Sequence, residues 1–484
     1  MDWFLGVDIG TSSIKAVLYD PDFNEYDRST VPIDDCFDSQ LQLDLNKLWK
    51  KLEELLRSLT SKLKGERVFT GVVTFCPCLV IFNKNEEPLV PGITYQSLVL
   101  PHDFSLIDNI REFIDITRNY PHRSSTSVIS LLAIRRYHPE WFNKIYKIGH
   151  LGTFILHKIT GSFVIDKTNA AFTGLYDISK GTWSVKLLEE FQIDSSVLPT
   201  LLDSHAIAGN ILPKIASSLG ISRSSTFIVG SADTPASAFG LGLEKRNDVF
   251  LTSGTTTVFS SIKNNADELT PQFLNRPYVI PRKYISHGVL SHTGSFIKWC
   301  KAHIKDFEKD LQETWDNVTI RKIAIESIEL FCFPSLGPER GPFWDTKIRG
   351  GFLNLTHKIH TEHLIYVTYE AIAFGVRYMY ELMTGKIRDY LIVVGGAAQN
   401  RIFTIILASC LKIPVLPIVN PYLTAFGGAL LAAEGCQKLN SEDRGMIIGK
   451  MITTSKVNVV TPDSALSKIL DDKYNKFKFW IHYQ

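Results

Sequence analysis

The sequence predicts an α/β protein built as two comparable halves with a cleft between them. Three observations carry this. Strand-like and helix-like patterns are mixed along the whole chain. A strand, a glycine turn and a second strand open the chain at "LGVDIGTSSIKAVLYD", and "FLTSGTTTVFSS" repeats the arrangement at 250–261. A length of 484 residues also exceeds what one small core organises.

In the first hairpin, Ile14, Ala16 and Leu18 alternate with Lys15, Val17 and Tyr19 after a turn of Gly10, Thr11, Ser12 and Ser13. Helical periodicity follows at 45–63, 128–137 and 364–382. Strand and turn signals cluster at 69–82, 227–230, 249–262 and 390–394. The boundary between the halves is expected in the glycine-bearing, then charged stretch 240–248. Segments 1–243, 244–450 and a C-terminal extension, 451–484, are the expected divisions.

Composition narrows the function. Lysine plus arginine number 52 against 50 acids, a net charge of +2, which favours neither nucleic acid nor a membrane surface as partner. The apolar run "IFTIILASCLKIPVLPIV" is broken by Lys412, Pro414 and Pro417 and is not expected to span a bilayer. The first strand follows Met1 directly, so no leader peptide is expected. Seven scattered cysteines suit reduced thiols in a cytoplasmic protein, and Cys76-Pro77-Cys78 lacks the spacing of a zinc site.

The turns carry the chemistry. Backbone N–H groups and short hydroxyls at a glycine turn suit phosphate oxygens, and two such turns grip a polyphosphate from both sides. Only the first carries an acid: Asp8 is matched by Thr252. One acid suits a single Mg²⁺, which keeps several waters and takes one or two carboxylates beside phosphates. In "FIVGSADTPASAFGLG", Asp233 follows a short strand among small residues, with Thr234 and Pro235 reading as a helix start. Asp233 is either a plain helix cap or an acid that orients an alcohol and takes its proton during phosphoryl transfer. In "LIVVGGAAQNRIFTIILASCL", Gly395 and Gly396 let backbone approach a flat ring, and Asn400 offers an amide. Neither a dinucleotide fingerprint nor a Walker lysine loop is present.

These four stretches, in this order, resemble the FGGY carbohydrate kinases, and the xylulokinases among them most. "HKITGSFVIDKTNAAFTGLYDISKGTWS", "FPSLGPERGPFWDTKIRGGF" and "NPYLTAFGGALLAA" extend the resemblance over nearly the whole chain. It implies a ribonuclease-H-like (actin/hexokinase-type) core in each half, with ATP and sugar in the cleft. It implies Mg²⁺ held by Asp8 through water, and Thr11, Ser12 and Lys15 near the transferring phosphate. Gly254, Thr255 and Thr256 would hold phosphates from the other side. Gly294 would line the nucleotide cleft, Gly395, Gly396 and Asn400 would bracket adenine and ribose, and Asp233 would be the catalytic base. The implied partners are a small sugar or polyol and a second copy in a homodimer.

The departures lie on the sugar side. Xylulokinases carry Gly-Gln-Met-His-Gly where this chain has Thr74-Phe75-Cys76-Pro77-Cys78, and Trp-x-Asp-x-Arg where it has Tyr95-Gln96-Ser97-Leu98-Val99. Cys76, Pro77, Tyr95 and Gln96 therefore stand at substrate-binding positions with altered chemistry. The lysine and tryptophan of the family's first signature align with Ile129 and Leu132, and a glycine of the second with Asn354. Two functional classes fit. One is an ATP-dependent kinase for a pentulose such as xylulose, or for another polyol or sugar acid. The other is a nucleotide-binding protein of kinase descent that no longer turns sugar over. Retained Asp8, Asp233 and both turns favour the kinase. An assembling actin-like ATPase fits the core but not the family-wide match.

Overall fold

The computed structural model describes residues 1–101, 104–122, 124–307, 315–344, 347, 349–383, 390–454 and 459–483. They form two compact units. The first is drawn from Met1–Glu244, Lys263–Ile285 and Tyr422–Lys450, the second from Lys245–Ile262, Ser286–Pro421 and Met451–Gln484. The units do not follow the contiguous segments expected from the sequence but interleave, because two later stretches pack onto the first unit.

The first unit is organised by strands β1 (Asp2–Ile9), β2 (Ser13–Tyr19), β3 (Glu25–Pro32), β4 (Arg67–Thr74), β5 (Cys78–Phe82), β6 (Lys147–His150), β7 (Ile207–Asn210) and β8 (Thr226–Ala232). Six of them make one sheet in the order β7-β8-β4-β1-β2-β3. β1 pairs antiparallel with β2 and parallel with β4, and β8 runs parallel to β4. β5 and β6 belong to a separate four-stranded sheet, with Leu79 opposite His150. Helix α1 (Leu45–Thr60) starts where the Asp44 carboxylate accepts the Lys47 N–H at 2.9 Å. It buries Leu48, Leu52, Leu55, Leu56 and Leu59 along one stripe. Truncating one of these, as in Leu52→Ala, costs about 2–5 kcal/mol through lost burial and the cavity left behind. Helix α2 (Val128–Tyr137) spans the residues its periodicity marks.

The helix Leu423–Gly435, "LTAFGGALLAAEG", belongs to this unit for a steric reason. A Cβ on Gly6 of β1 would lie 1.7 Å from the Ala425 carbonyl oxygen, and one on Gly71 of β4 1.9 Å from that of Gly428. Only glycine allows backbone to meet backbone this closely. The sheet floor and the helix are therefore cut to one another, far apart in sequence.

The second unit repeats the plan. Strands β9 (Val249–Ser253), β10 (Thr257–Lys263), β11 (Tyr284–Leu290), β12 (Leu391–Val394) and β13 (Val415–Ile418) lie in the order β11-β10-β9-β12-β13. β9 pairs antiparallel with β10 and parallel with β12, which runs parallel to β13. This matches the β2-β1-β4-β8 pattern of the first sheet, so both hairpin strands sit at the centre of their sheets. The α/β expectation of two like halves holds. Among the described residues no helix is long and apolar enough to cross a membrane.

Candidate active site

In the first sheet, Ile9 pairs with Thr74 and Thr74 pairs with Ala232. These residues form one row across three parallel strands. At that row the chain leaves β1 beside Asp8, leaves β4 into Phe75, Cys76 and Pro77, and leaves β8 into Asp233. The carboxyl ends of parallel strands in open α/β sheets are where ligands bind. The sheet register therefore gathers the acid of the first turn, the altered turn and the second acid at one edge.

Asp8 stands opposite Lys15 across the hairpin. Burial pushes its carboxyl up to about 7; the charge of Asp233 adds to the rise, and Lys15 opposes it. Thr11 and Lys15 are half-buried, and Ser12 is exposed. Asp233 opens helix α3 (Asp233–Gly240), and the cap position falls on Ala232, whose backbone is extended and whose side chain caps nothing. The helix thus starts one residue before the expected Thr234. One Asp233 oxygen accepts the Thr234 N–H at 2.7 Å and faces its hydroxyl at 3.2 Å. Asp233 is half-buried, so its carboxylate is held but not sealed.

At the altered turn, Cys76 Sγ lies 3.6 Å from His150 Nδ1, and His150 Nε2 lies 2.9 Å from Ser127 Oγ. Burial, then the nearby Arg276, pushes the His150 imidazole down to about 3, so it stays neutral. Tyr95 reaches the turn through its backbone, its N–H donating to the Pro77 carbonyl at 3.2 Å. Gln96 is exposed, and its N–H donates to Thr94 Oγ1 at 3.2 Å. Ser97 turns inward and donates to the Leu41 carbonyl at 2.9 Å. The fold thus brings Cys76, Pro77 and Tyr95 together and leaves the Gln96 side chain at the surface. His150 escapes a motif search because no local spacing links it to Cys76. Opposition of β5 and β6 makes that link.

In the second unit a cavity of about 700 Å³ is lined by Gly254, Thr255, Gly294, Gly396 and Asn400, with Lys298, Lys301, Tyr369 and Phe403. Thr252 pairs with Val394, so the turn after β9 and the glycines after β12 leave the sheet together. Gly395 and Thr256 do not line the cavity. Gly395 holds a φ of +90° against Ser253, whose carbonyl oxygen would lie 2.5 Å from any Cβ there. Thr256 gives its carbonyl to the Gly254 N–H at 2.9 Å. Asn400 caps the helix Arg401–Leu411, its side-chain oxygen accepting the Phe403 N–H at 3.0 Å. Gly294, Lys298 and Lys301 recur at helical spacing on helix α4 (Thr293–His303), the signal that could have found both lysines.

Two family models cover most of the chain: the N-terminal domain of the FGGY family of carbohydrate kinases over residues 3–240, and its C-terminal domain over 249–436. The chain belongs to the FGGY family. As a member it is an ATP-dependent phosphotransferase with an alcohol group as acceptor. A xylulose kinase of Lactococcus lactis is 25% identical over 462 residues, covering 91% of this chain and 89% of its own. The fold matches a ligand-bound xylulose kinase of Lactobacillus acidophilus with a TM-score of 0.86 at 19% identity, over 100% of this chain and 98% of that one. A gluconate kinase of the same organism superposes equally well, with a TM-score of 0.86 at 19% identity and the same coverage. Of the FGGY-like segment around Trp344, residues Asp345, Thr346 and Ile348 lie outside the described residues.

Proposed function

We propose that this FGGY kinase moves the terminal phosphoryl group of ATP to a hydroxyl of a small open-chain sugar or sugar derivative. A pentulose such as xylulose comes first by likeness to the relatives. The observation that carries the reading is the row Ile9, Thr74 and Ala232, which delivers Asp8 and Asp233 to one sheet edge beside a turn open to change.

Asp233 is the base. It orients the acceptor hydroxyl and takes its proton as the oxygen bonds to phosphorus and the bond to the ADP oxygen breaks, leaving that electron pair on ADP. Thr11, Ser12 and Lys15 act on the transferring phosphate, with donors and one positive charge. The cavity of the second unit suits a nucleotide: a Cβ added at Gly254 or Gly396 would meet nothing within 4 Å, so bare backbone faces the space. Gly254 and Thr255 offer donors to phosphates, Lys298 and Lys301 offer charge, and Tyr369 and Phe403 offer aromatic surface. Thr256 and Gly395 shape the turns from behind.

Mg²⁺ fits beside Asp8. A carboxylate whose ionisation is opposed by burial and by a second carboxylate is relieved by a cation. Mg²⁺ there would neutralise charge on the phosphate oxygens.

The test is ADP release measured over ketoses, polyols and sugar acids. Acceptor-dependent ADP release supports the reading. Nucleotide binding with no release on any acceptor would favour the binding-only descendant of a kinase.

A further inference from the structure

The most unusual group near this sheet edge is one the sequence motifs do not mark. Arg276 lies in the strand Leu274–Pro277 and is only 4% exposed. Its guanidinium stacks on the Phe172 ring, 3.5 Å from the centroid. Stacking satisfies its face, and a side-chain hydrogen bond reaches Cys76, but part of its rim of N–H donors is left over. Nε and Nη1 are both buried without a hydrogen-bond partner. Buried arginines are ordinarily paired, because an unanswered buried charge is costly.

The surroundings answer it only in part. Cys76, from the altered turn, is its neighbour, but burial drives that thiol far above its usual range, so it is no anion. Asp166 is within electrostatic range, but its carboxylate is already engaged. It accepts the backbone N–H of Thr168 at 2.8 Å and of Asn169 at 3.0 Å, the Thr168 hydroxyl, and the Asn169 amide at 2.6 Å. Asp233 also acts on Arg276, yet as the base it must face the acceptor hydroxyl. The strand itself is pinned by its neighbour Asn275, whose amide donates to the carbonyls of Arg118 at 2.6 Å and Thr270 at 2.7 Å. Arg276 therefore has little freedom to seek a partner elsewhere.

Two orphaned oxygens lie in the same unit. Thr74 Oγ1, at the end of β4 where the altered turn begins, and Asn169 Oδ1, which lies near the His150 ring, are both buried without a well-aligned hydrogen bond among the described residues. Asn169 belongs to the short helix Lys167–Ala170, which packs against the strand of Arg276. The unanswered set is thus a buried cation with two free N–H donors, and an acceptor oxygen of Asn169 on the helix packed against its strand. A polyhydroxylated chain ending in a carboxylate answers all of them. A neutral ketose leaves the guanidinium unpaired.

We propose that Arg276 receives the carboxylate of the acceptor, so that this kinase acts on a sugar acid of the aldonate class in preference to a neutral ketose or polyol. The inference rests on the kinase reading above and narrows its substrate. Arginine suits the task because its planar N–H edge matches a carboxylate with two parallel bonds. The carboxylate is not a reactant. A hydroxyl of the same molecule forms the new O–P bond, its proton goes to Asp233, and ADP leaves with the electrons of the broken P–O bond.

The test compares D-gluconate with D-glucitol, its neutral counterpart, and with D-xylulose and glucitol 6-phosphate. Each is titrated by calorimetry and assayed for ADP release, with the wild-type protein, Arg276→Gln and Arg276→Lys. Gluconate should bind at least about a hundredfold tighter than glucitol, since a site built for a charged group rejects an analogue without it. Arg276→Gln should erase most of that ratio, and Arg276→Lys should keep part of it, with ATP affinity and the melting curve as checks on folding. If Arg276→Gln does not fold, the wild-type ratio and Arg276→Lys still decide. Equal binding of gluconate and glucitol overturns the proposal, and so does better binding of glucitol 6-phosphate than gluconate. Turnover of xylulose with gluconate ignored sinks this assignment and leaves the kinase reading standing. Tight, Arg276-dependent gluconate binding without ADP release on any acceptor supports the assignment and sinks the kinase reading.

Discussion

At Gly10, Thr11 and Ser12 the chain turns between antiparallel strands, with Asp8 opposite Lys15; at Gly254, Thr255 and Thr256 it makes the corresponding turn, with Thr252 opposite Val258. The strand pairing is the same, and each hairpin's first strand runs beside a parallel neighbour. What differs is what the side chains bring. The first hairpin has Asp8 and the cation Lys15, and sits at an edge with Asp233. The second has hydroxyls and bare backbone over a cavity of about 700 Å³. The comparison teaches that a repeated backbone can carry different chemistry: buried charge in one copy, room and bare backbone donors in the other.

The largest expected effect breaks the charged side. Asp233→Ala should lower kcat by about 10²–10⁴-fold, as loss of a general base does, while ATP affinity stays close to wild type. Near-normal turnover on the best acceptor would reduce Asp233 to a residue that merely opens α3. Asp8→Ala should come next, with Mg²⁺-dependent turnover falling about 10–100-fold, the cost typical of an outer partner of a metal, and extra Mg²⁺ restoring only part of it. A Mg²⁺ titration of kcat/KM checks this.

Breaking the second turn should act on the nucleotide instead. In Gly294→Ala the new Cβ would stand 2.1 Å from the Gly254 carbonyl oxygen, so the turn must move. Overpacking of this kind costs about 1–3 kcal/mol. We expect a higher KM for ATP with an unchanged ranking of acceptors. Thr255→Val should do less, because one hydrogen bond is worth about 0.5–1.5 kcal/mol. A change in acceptor preference with Thr255→Val would mean that this turn does not serve the nucleotide.

The smallest effect sharpens the comparison through pH. Asp8 ionises near pH 7 in the folded chain but near 3.8 when unfolded. Between those values the folded state holds the extra proton, so the stability it lends is full below about pH 3.8 and is lost as pH rises through about 7. Asp8→Asn removes the charge that must form. Its melting temperature should exceed that of wild type at pH 8, and the gap should shrink at pH 5. The Thr252→Val substitution, on the other strand end, should show no such pH dependence.

Much of this was legible beforehand because it is local. Period-two alternation around a glycine turn marks both hairpins, and helix α2 spans the residues its periodicity indicates. The helix periodic over 364–382 extends only slightly further, to Thr361–Met383. Asp8, Asp233 and the glycines announce themselves by standing at strand ends among small residues.

Other features were decided only in three dimensions, because they depend on which distant strands become neighbours. The helix Leu423–Gly435 joins the first unit because glycines on β1, β4 and the helix accept backbone contact, a match no local pattern states. His150 meets Cys76 because β5 opposes β6. Arg276 reads in the sequence as one cation among 52 basic residues. Its stacking on Phe172 and its unanswered donors exist only once the strand Leu274–Pro277 has packed beside the helix Lys167–Ala170. By itself the sequence determined the α/β pattern, the two glycine turns and the acids Asp8 and Asp233 at strand ends, since spacing along the chain encodes them. The surroundings of Arg276 were decided by tertiary packing, since the free energy of a buried charge depends on what the fold places, or fails to place, against it.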